Sequence, residues 1–183
     1  MKVLNLYYSL SGNTKKVAER ISSTVEELGH EVNTVKITVN TDASDVDLLD
    51  YDFVFNGSGV YQWLPGEPMM DLFDELRERY NEIGDIKPGS PKRKGKMAVV
   101  YCTYGGVHTG KHEATPAVKY MEQMYDHLGF YILDEWYIIG EYPNSYETAS
   151  TEGRLGDIRG KPGEKDLKEI EEKTKGLFSQ FKN

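Results

Sequence analysis

The opening of the chain constrains its fold more than any other stretch. Lys2 to Tyr8 is a short apolar run of β-formers that stops at Ser9-Leu10-Ser11-Gly12-Asn13-Thr14, as a buried strand entering a loop does. From Thr14 to Leu28 the residues Val17, Ala18, Ile21, Val25 and Leu28 recur at helical spacing, and Gly29 follows as a C-cap. The loop therefore sits between a strand and a helix N-terminus. There, three hydroxyls and several backbone N–H groups can surround an anion, because first-turn amides lack helical partners and the helix dipole is positive. A Ser-rich N-cap is the plainer reading of the same residues. The spacing matches neither the nucleotide P-loop nor the dinucleotide G-x-G-x-x-G pattern.

The rest of the chain repeats the alternation. Glu31 to Val39 alternates Val32, Val35, Ile37 and Val39 with polar residues, in the manner of a strand near a sheet edge. Tyr51 to Asn56 reads YDFVFN and ends at Gly57-Ser58-Gly59, and Pro68 to Tyr80 carries Met69, Leu72, Phe73 and Leu76 on one helical face. Lys87 to Lys96 (KPGSPKRKGK) is expected to be a solvated connector. Met97 to Thr103 is a buried strand, Glu113 to Leu128 a helix, Phe130 to Ile139 a fifth strand, and Lys165 to Phe181 a closing helix. Between the last two, 141–164 is too long and too rich in Gly, Pro, Ser and Thr for an ordinary connector. Strands interleaved with helices predict an α/β fold with a doubly wound parallel sheet, because parallel neighbours need crossovers and helices must cover both faces. Ligands bind such sheets beyond the strand carboxyl ends.

Length and composition narrow the function. With 183 residues the chain suits one α/β domain spanning 1–183. A net charge of -8 argues against nucleic acid or an anionic membrane surface as partner. The lone Cys102 cannot form an internal disulfide or a cysteine metal site, which points to a reducing, cytoplasmic setting. No run approaches the roughly 20 apolar residues of a membrane span, and the N-terminal apolar run is too short for a secretory signal.

Three loops carry the chemistry. The first, Ser9 to Thr14 (Ser9, Leu10, Ser11, Gly12, Asn13 and Thr14), has the pattern S-x-S-G-x-T and resembles the phosphate loop of the flavodoxin family, which holds the 5'-phosphate of FMN. The second follows the third strand as Gly57-Ser58-Gly59-Val60-Tyr61-Gln62-Trp63-Leu64-Pro65-Gly66. The resemblance implies that Ser58, Gly59, Val60, Tyr61, Gln62 and Trp63 contact FMN, with Tyr61 at the aromatic position and Trp63 as fallback. An aromatic loop flanked by glycines offers the ring a flat neighbour and free backbone groups. The third loop follows the fourth strand, and Thr103, Tyr104, Gly105, Gly106, Val107 and His108 are its candidate FMN contacts. The outer-face tyrosine of short-chain flavodoxins is not evident in it, and Lys111 falls near that place. Instead Gly106, His108, Gly110, Glu113 and Thr115 form a run similar to the H-G-G-Q-E-x-T loop of WrbA-type NAD(P)H:quinone oxidoreductases, with the glutamate one residue farther on. His108 is thereby the candidate catalytic residue, His112 reads as a solvated loop residue, and Glu113 is expected in the first turn of the next helix.

The flavodoxin resemblance implies a five-stranded sheet of order 2-1-3-4-5, bound FMN, and electron exchange with redox protein partners. The alternatives are an FMN-dependent NAD(P)H:quinone oxidoreductase and a binding module without flavin. Tyr142, Tyr146 and Arg154 could reach the flavin mouth or a neighbouring subunit, so a homo-oligomer stays open.

Overall fold

The computed structural model describes residues 1–143 and 147–181. Five parallel strands, β1 (Lys2–Tyr8), β2 (Glu31–Lys36), β3 (Phe53–Gly59), β4 (Met97–Tyr104) and β5 (Tyr131–Ile139), form one sheet of order β2-β1-β3-β4-β5. This is the order that the flavodoxin resemblance implies. The edge position of β2 explains its mostly exposed side chains, whereas every residue of β3 is buried. β2 ends at Lys36, earlier than the alternation suggests, and Val39 lies in solvent.

Alternation along the central strands divides the core in two. Val3, Tyr7, Phe53, Phe55, Val99 and Tyr101 face α1 (Asn13–Glu27) and α5 (Glu164–Ser179), where Val17, Ile21, Ile170 and Phe178 meet them. Leu4, Leu6, Val54, Ala98 and Val100 face the other way, toward Met69, Leu72 and Leu76 of α2 (Glu67–Glu82) and Val118 and Met121 of α3 (Thr115–His127). Each such large apolar side chain contributes roughly 1.5–3 kcal/mol when fully buried. One polar residue orients the first layer. Asn5 is buried, and its amide donates to the Ala18 carbonyl at 2.8 Å and to Ser22 Oγ at 2.9 Å, while its carbonyl accepts from Tyr101 at 3.0 Å. An unpaired amide there would cost about 1–3 kcal/mol, so these bonds fix how α1 lies on β1.

The basic connector is more structural than its composition suggests. Lys92 donates to the Phe130 carbonyl, Arg93 to the Leu128 and Asp85 carbonyls, and Lys96 to those of Leu49 and Tyr51. Its cations thus satisfy carbonyls at helix ends and loops at the sheet's amino edge. The stretch after β5 is also ordered where described: a short helix, α4 (Glu147–Thr151), is followed by a strap in which the Ile158 amide donates to the Ser150 carbonyl at 2.8 Å. Ser150 and Ile158 are both buried. Tyr146 lies outside the described residues. No helix among the described residues is long and apolar enough to cross a membrane.

Candidate functional site

At the carboxyl end of β1, Ser9 and the residues after it divide two tasks. Ser9 Oγ accepts from the amides of Gly12 and Lys15, each at 3.2 Å, so Ser9 satisfies part of the helix start from within. Gly12 occupies the N-cap position with φ +92°, a left-handed conformation that a side chain would oppose. The amides of Ser11, Asn13 and Thr14 make no hydrogen bond within the described residues. Both readings of the loop hold for different residues: Ser9 caps, and the next turn presents free donors at the positive end of a helix of 15 residues. The Thr14 hydroxyl is not among those donors. It is buried against the Thr103 hydroxyl at 2.7 Å, joining the start of α1 to β4.

The loop after β3 folds back on the first. The Val60 amide donates to the Thr103 carbonyl at 3.0 Å. Tyr61 accepts the Leu10 amide on its hydroxyl at 3.1 Å, and its ring meets Tyr8 edge-on at 5.7 Å between centroids. Burial pushes the Tyr61 phenol up, against a smaller opposing effect of the Leu10 amide, so it stays protonated near neutral pH. Tyr61 and Leu64 exchange backbone hydrogen bonds of 2.8 and 3.0 Å around Gln62 and Trp63, which adopt φ +49° and +71°. Two left-handed side-chain residues cost roughly 1–2 kcal/mol each, and this turn leaves Trp63 63% exposed. Ser58 is spent inside the fold, donating to the Gly59 carbonyl and accepting the Gly66 amide at 3.0 Å, which ties the start of α2 to β3.

The loop after β4 is braced by Glu113. Its carboxylate accepts from the amides of His108 at 2.7 Å and Thr109 at 2.6 Å. Glu113 therefore closes a loop, and it belongs to a 3₁₀ turn (Gly110–Glu113); α3 starts only at Thr115, next to Pro116, which suits a first helical turn because it has no N–H to leave unsatisfied. His108 and His112 are exposed. Lys111 Nζ sits 3.8 Å from the centroid of the Tyr137 ring on the neighbouring strand. The Val107 carbonyl accepts from the Arg154 amide at 2.9 Å, so the strap lies over this loop.

These loops enclose a cleft of about 480 Å³ beyond the strand carboxyl ends. Of the residues singled out in the sequence, Leu10, Ser11 and Asn13 line it from the first loop and Gly59, Val60 and Tyr61 from the second. Thr103, Tyr104 and Gly105 line it from the third. Ser9, Gly12, Thr14 and Ser58 support the walls from behind, while Gln62, Trp63, Gly106, Val107 and His108 lie outside the lining. Gly140, Glu141 and Pro143 also line it and were missed, whereas Tyr142, named in the sequence as a residue that could reach the mouth, enters the wall. The available signal was their position directly after β5, at the converging end of the sheet. Asn13 holds this fourth wall: its side-chain amide donates to the Glu141 carbonyl at 2.8 Å. Cys102 is buried and its thiol is pushed up by burial, which makes it inert toward the cleft.

The sheet order, the two helical layers and the cleft at the strand ends define a flavodoxin-like α/β protein. Among proteins of known identity, the chain is similar to the flavodoxin of Clostridium beijerinckii, with 31% identity over 106 residues; the match spans 57% of this chain and 64% of that flavodoxin. Flavodoxin 1 of Bacillus cereus superposes with a TM-score of 0.67 at 16% identity, covering 98% of both chains. A WrbA-like protein of Agrobacterium tumefaciens gives 0.60 at 12% identity over 99% of both. These structural likenesses are of fold. No family model matches the chain.

Proposed function

We propose that this chain binds FMN non-covalently and works as a flavodoxin-like electron-transfer protein, acting as one unit in a reducing, cytoplasmic setting. One observation carries the proposal: the amides of Ser11, Asn13 and Thr14 make no hydrogen bond among the described residues, and they stand at the start of α1 beside a cleft of about 480 Å³ that Ser11 and Asn13 line and tyrosines wall. The residues fit FMN. A phosphate suits the free amides at the start of α1, and a flat tricyclic ring suits a cleft walled by aromatic side chains. The sequence similarity to a flavodoxin supports the same reading.

FMN, when bound, supplies reversible one- and two-electron chemistry. The chain's part is to bind, orient and shield. Ser11, Asn13 and Thr14 would neutralise the phosphate, Tyr61 and Tyr104 would exclude water from the ring, and the backbone after β3 and β4 would donate to and accept from its polar edge. Outside the cleft, Glu67, Asp71, Asp74, Glu75 and Glu78 form an exposed acidic stripe on α2. That stripe and the net charge of -8 favour redox proteins with basic faces as partners.

The test is reconstitution of the apoprotein with FMN, followed by stepwise anaerobic reduction. Saturable binding at one FMN per chain, with reduction by a low-potential one-electron donor and no bleaching by NADH or NADPH, is the expected result. A colourless protein after incubation with FMN would remove the proposal. Rapid bleaching by NAD(P)H would replace the carrier with a reductase, a reading to which the exposed His108, outside the cleft lining, lends no support. Replacing it, His108→Ala, should leave FMN affinity within about twofold, as expected for an exposed side chain.

A further inference from the structure

Beyond Tyr104, the last residue of β4, the loop offers its side of the cleft little side-chain surface. Gly105 has none, His108 is exposed, and Lys111 is turned onto Tyr137. Into this gap comes Tyr142, from beyond β5. Its ring packs so closely on Gly105 that a Cβ there would lie 2.0 Å from a ring carbon. The ring is held at both ends. Its own amide donates to Ser150 Oγ at 2.9 Å, and its hydroxyl accepts from the Val107 backbone amide.

The chain on either side is fixed as well. The Glu141 amide donates to the Lys161 carbonyl at 2.9 Å, its carboxylate accepts the Gly160 amide at 2.7 Å, and its carbonyl accepts from Asn13. Tyr142 is thus fastened to the phosphate-loop side, the β4 loop and the strap together. An aromatic ring immobilised before a ligand arrives loses little entropy on binding, which is what a stacking wall requires.

We infer that Tyr142 is a ring-stacking wall of the cofactor site, supplying from the segment after β5 the aromatic surface that the loop after β4 lacks. The inference rests on the FMN reading and assigns a residue and a source to one wall of that site. Ser150 and Asn13 are positioning residues for it. The occupant of this wall is a planar, electron-poor heteroaromatic ring, which a tyrosine recognises by its π-face and not by a hydrogen-bond pattern.

The experiment titrates FMN into the unaltered apoprotein and into Tyr142→Ala, Tyr142→Phe and Gly105→Ala, reading dissociation constants and the emission of the bound flavin at saturation. Phenol contact quenches flavin emission, whereas a phenylalanine ring stacks without quenching. Tyr142→Ala is expected to weaken binding about tenfold and to raise bound-state emission. Tyr142→Phe should keep affinity within about threefold yet also raise emission, a signature that a merely structural tyrosine would not give. Gly105→Ala, whose methyl group must displace the ring, should resemble Tyr142→Ala even if that variant folds poorly. Unchanged emission in the Ala and Phe variants, with tight FMN binding by the unaltered chain, overturns this inference alone. Failure of the unaltered chain to bind FMN overturns the functional reading and this inference together.

Discussion

The two sides of the cleft are built differently. The side formed by Ser9 to Thr14 comes from consecutive residues, and its donors are free because helix geometry leaves them free. The facing side is a composite: Tyr142 stands on Gly105, hangs from Ser150 and Val107, and is tethered through Glu141 to a residue 128 positions earlier. A contiguous site needs only a strand, a turn and a helix in the right order. A composite one exists only once most of the chain has folded, so it should be the softer of the two.

The largest expected effect separates the anion cradle from the ring walls. Riboflavin, which has the ring without the phosphate, should bind about 10²- to 10³-fold more weakly than FMN, since charge-assisted bonds from the amides are lost. Equal affinities by isothermal titration would show that the first side contributes nothing. Next, Thr14→Val removes one partner of the buried 2.7 Å hydroxyl pair with Thr103. It should lower global stability by about 1–3 kcal/mol in urea unfolding, because the Thr103 hydroxyl is left without a partner.

A smaller effect tests the softness of the composite side. Ser150→Ala deletes the acceptor for the Tyr142 amide and should cost about 1 kcal/mol or less globally, yet raise amide exchange locally in residues 140–143 more than in 9–14. Uniform change across both segments would break the contrast. The smallest effect is a pH dependence. Burial pushes the Asp166 carboxyl up, but hydrogen bonds from Lys161 and from the Gly163 amide outweigh it and hold the pKa below the usual carboxylate range. A depressed folded-state pKa stabilises above the unfolded value, and that stabilisation is lost as pH falls through the folded one. Thermal melts should therefore show the end of the strap and the start of α5 loosening as pH drops below about 4, and Asp166→Asn should flatten that dependence.

The same contrast explains what could be read from sequence. The strands, the helices and the first loop were legible because periodicity and a contiguous motif carry them, and the strand order followed from the resemblance that the motif supports. The long segment after β5 was recognised as unusual, but the seat of Tyr142 on Gly105 depends on a contact across 37 positions that no local pattern encodes. Glu113 shows a subtler failure. Acidic residues favour the first turn of a helix, yet two amides of its own loop compete for the carboxylate and Pro116 moves the start of α3 onward. The resemblance implied that Ser58 contacts FMN, whereas the fold engages its hydroxyl with the Gly66 amide.

The hydroxyl pair of Thr14 and Thr103 has a consequence for kinetics. With the bonds from Asn13 to Glu141 and from Leu10 to Tyr61, it cross-links the loops that frame the cleft. A frame whose dipoles are held by one another hardly rotates when the charge inside it changes. Under the proposed function, the polarisation penalty that accompanies each arrival or departure of an electron would therefore be kept low, and the rate of exchange left to distance and driving force.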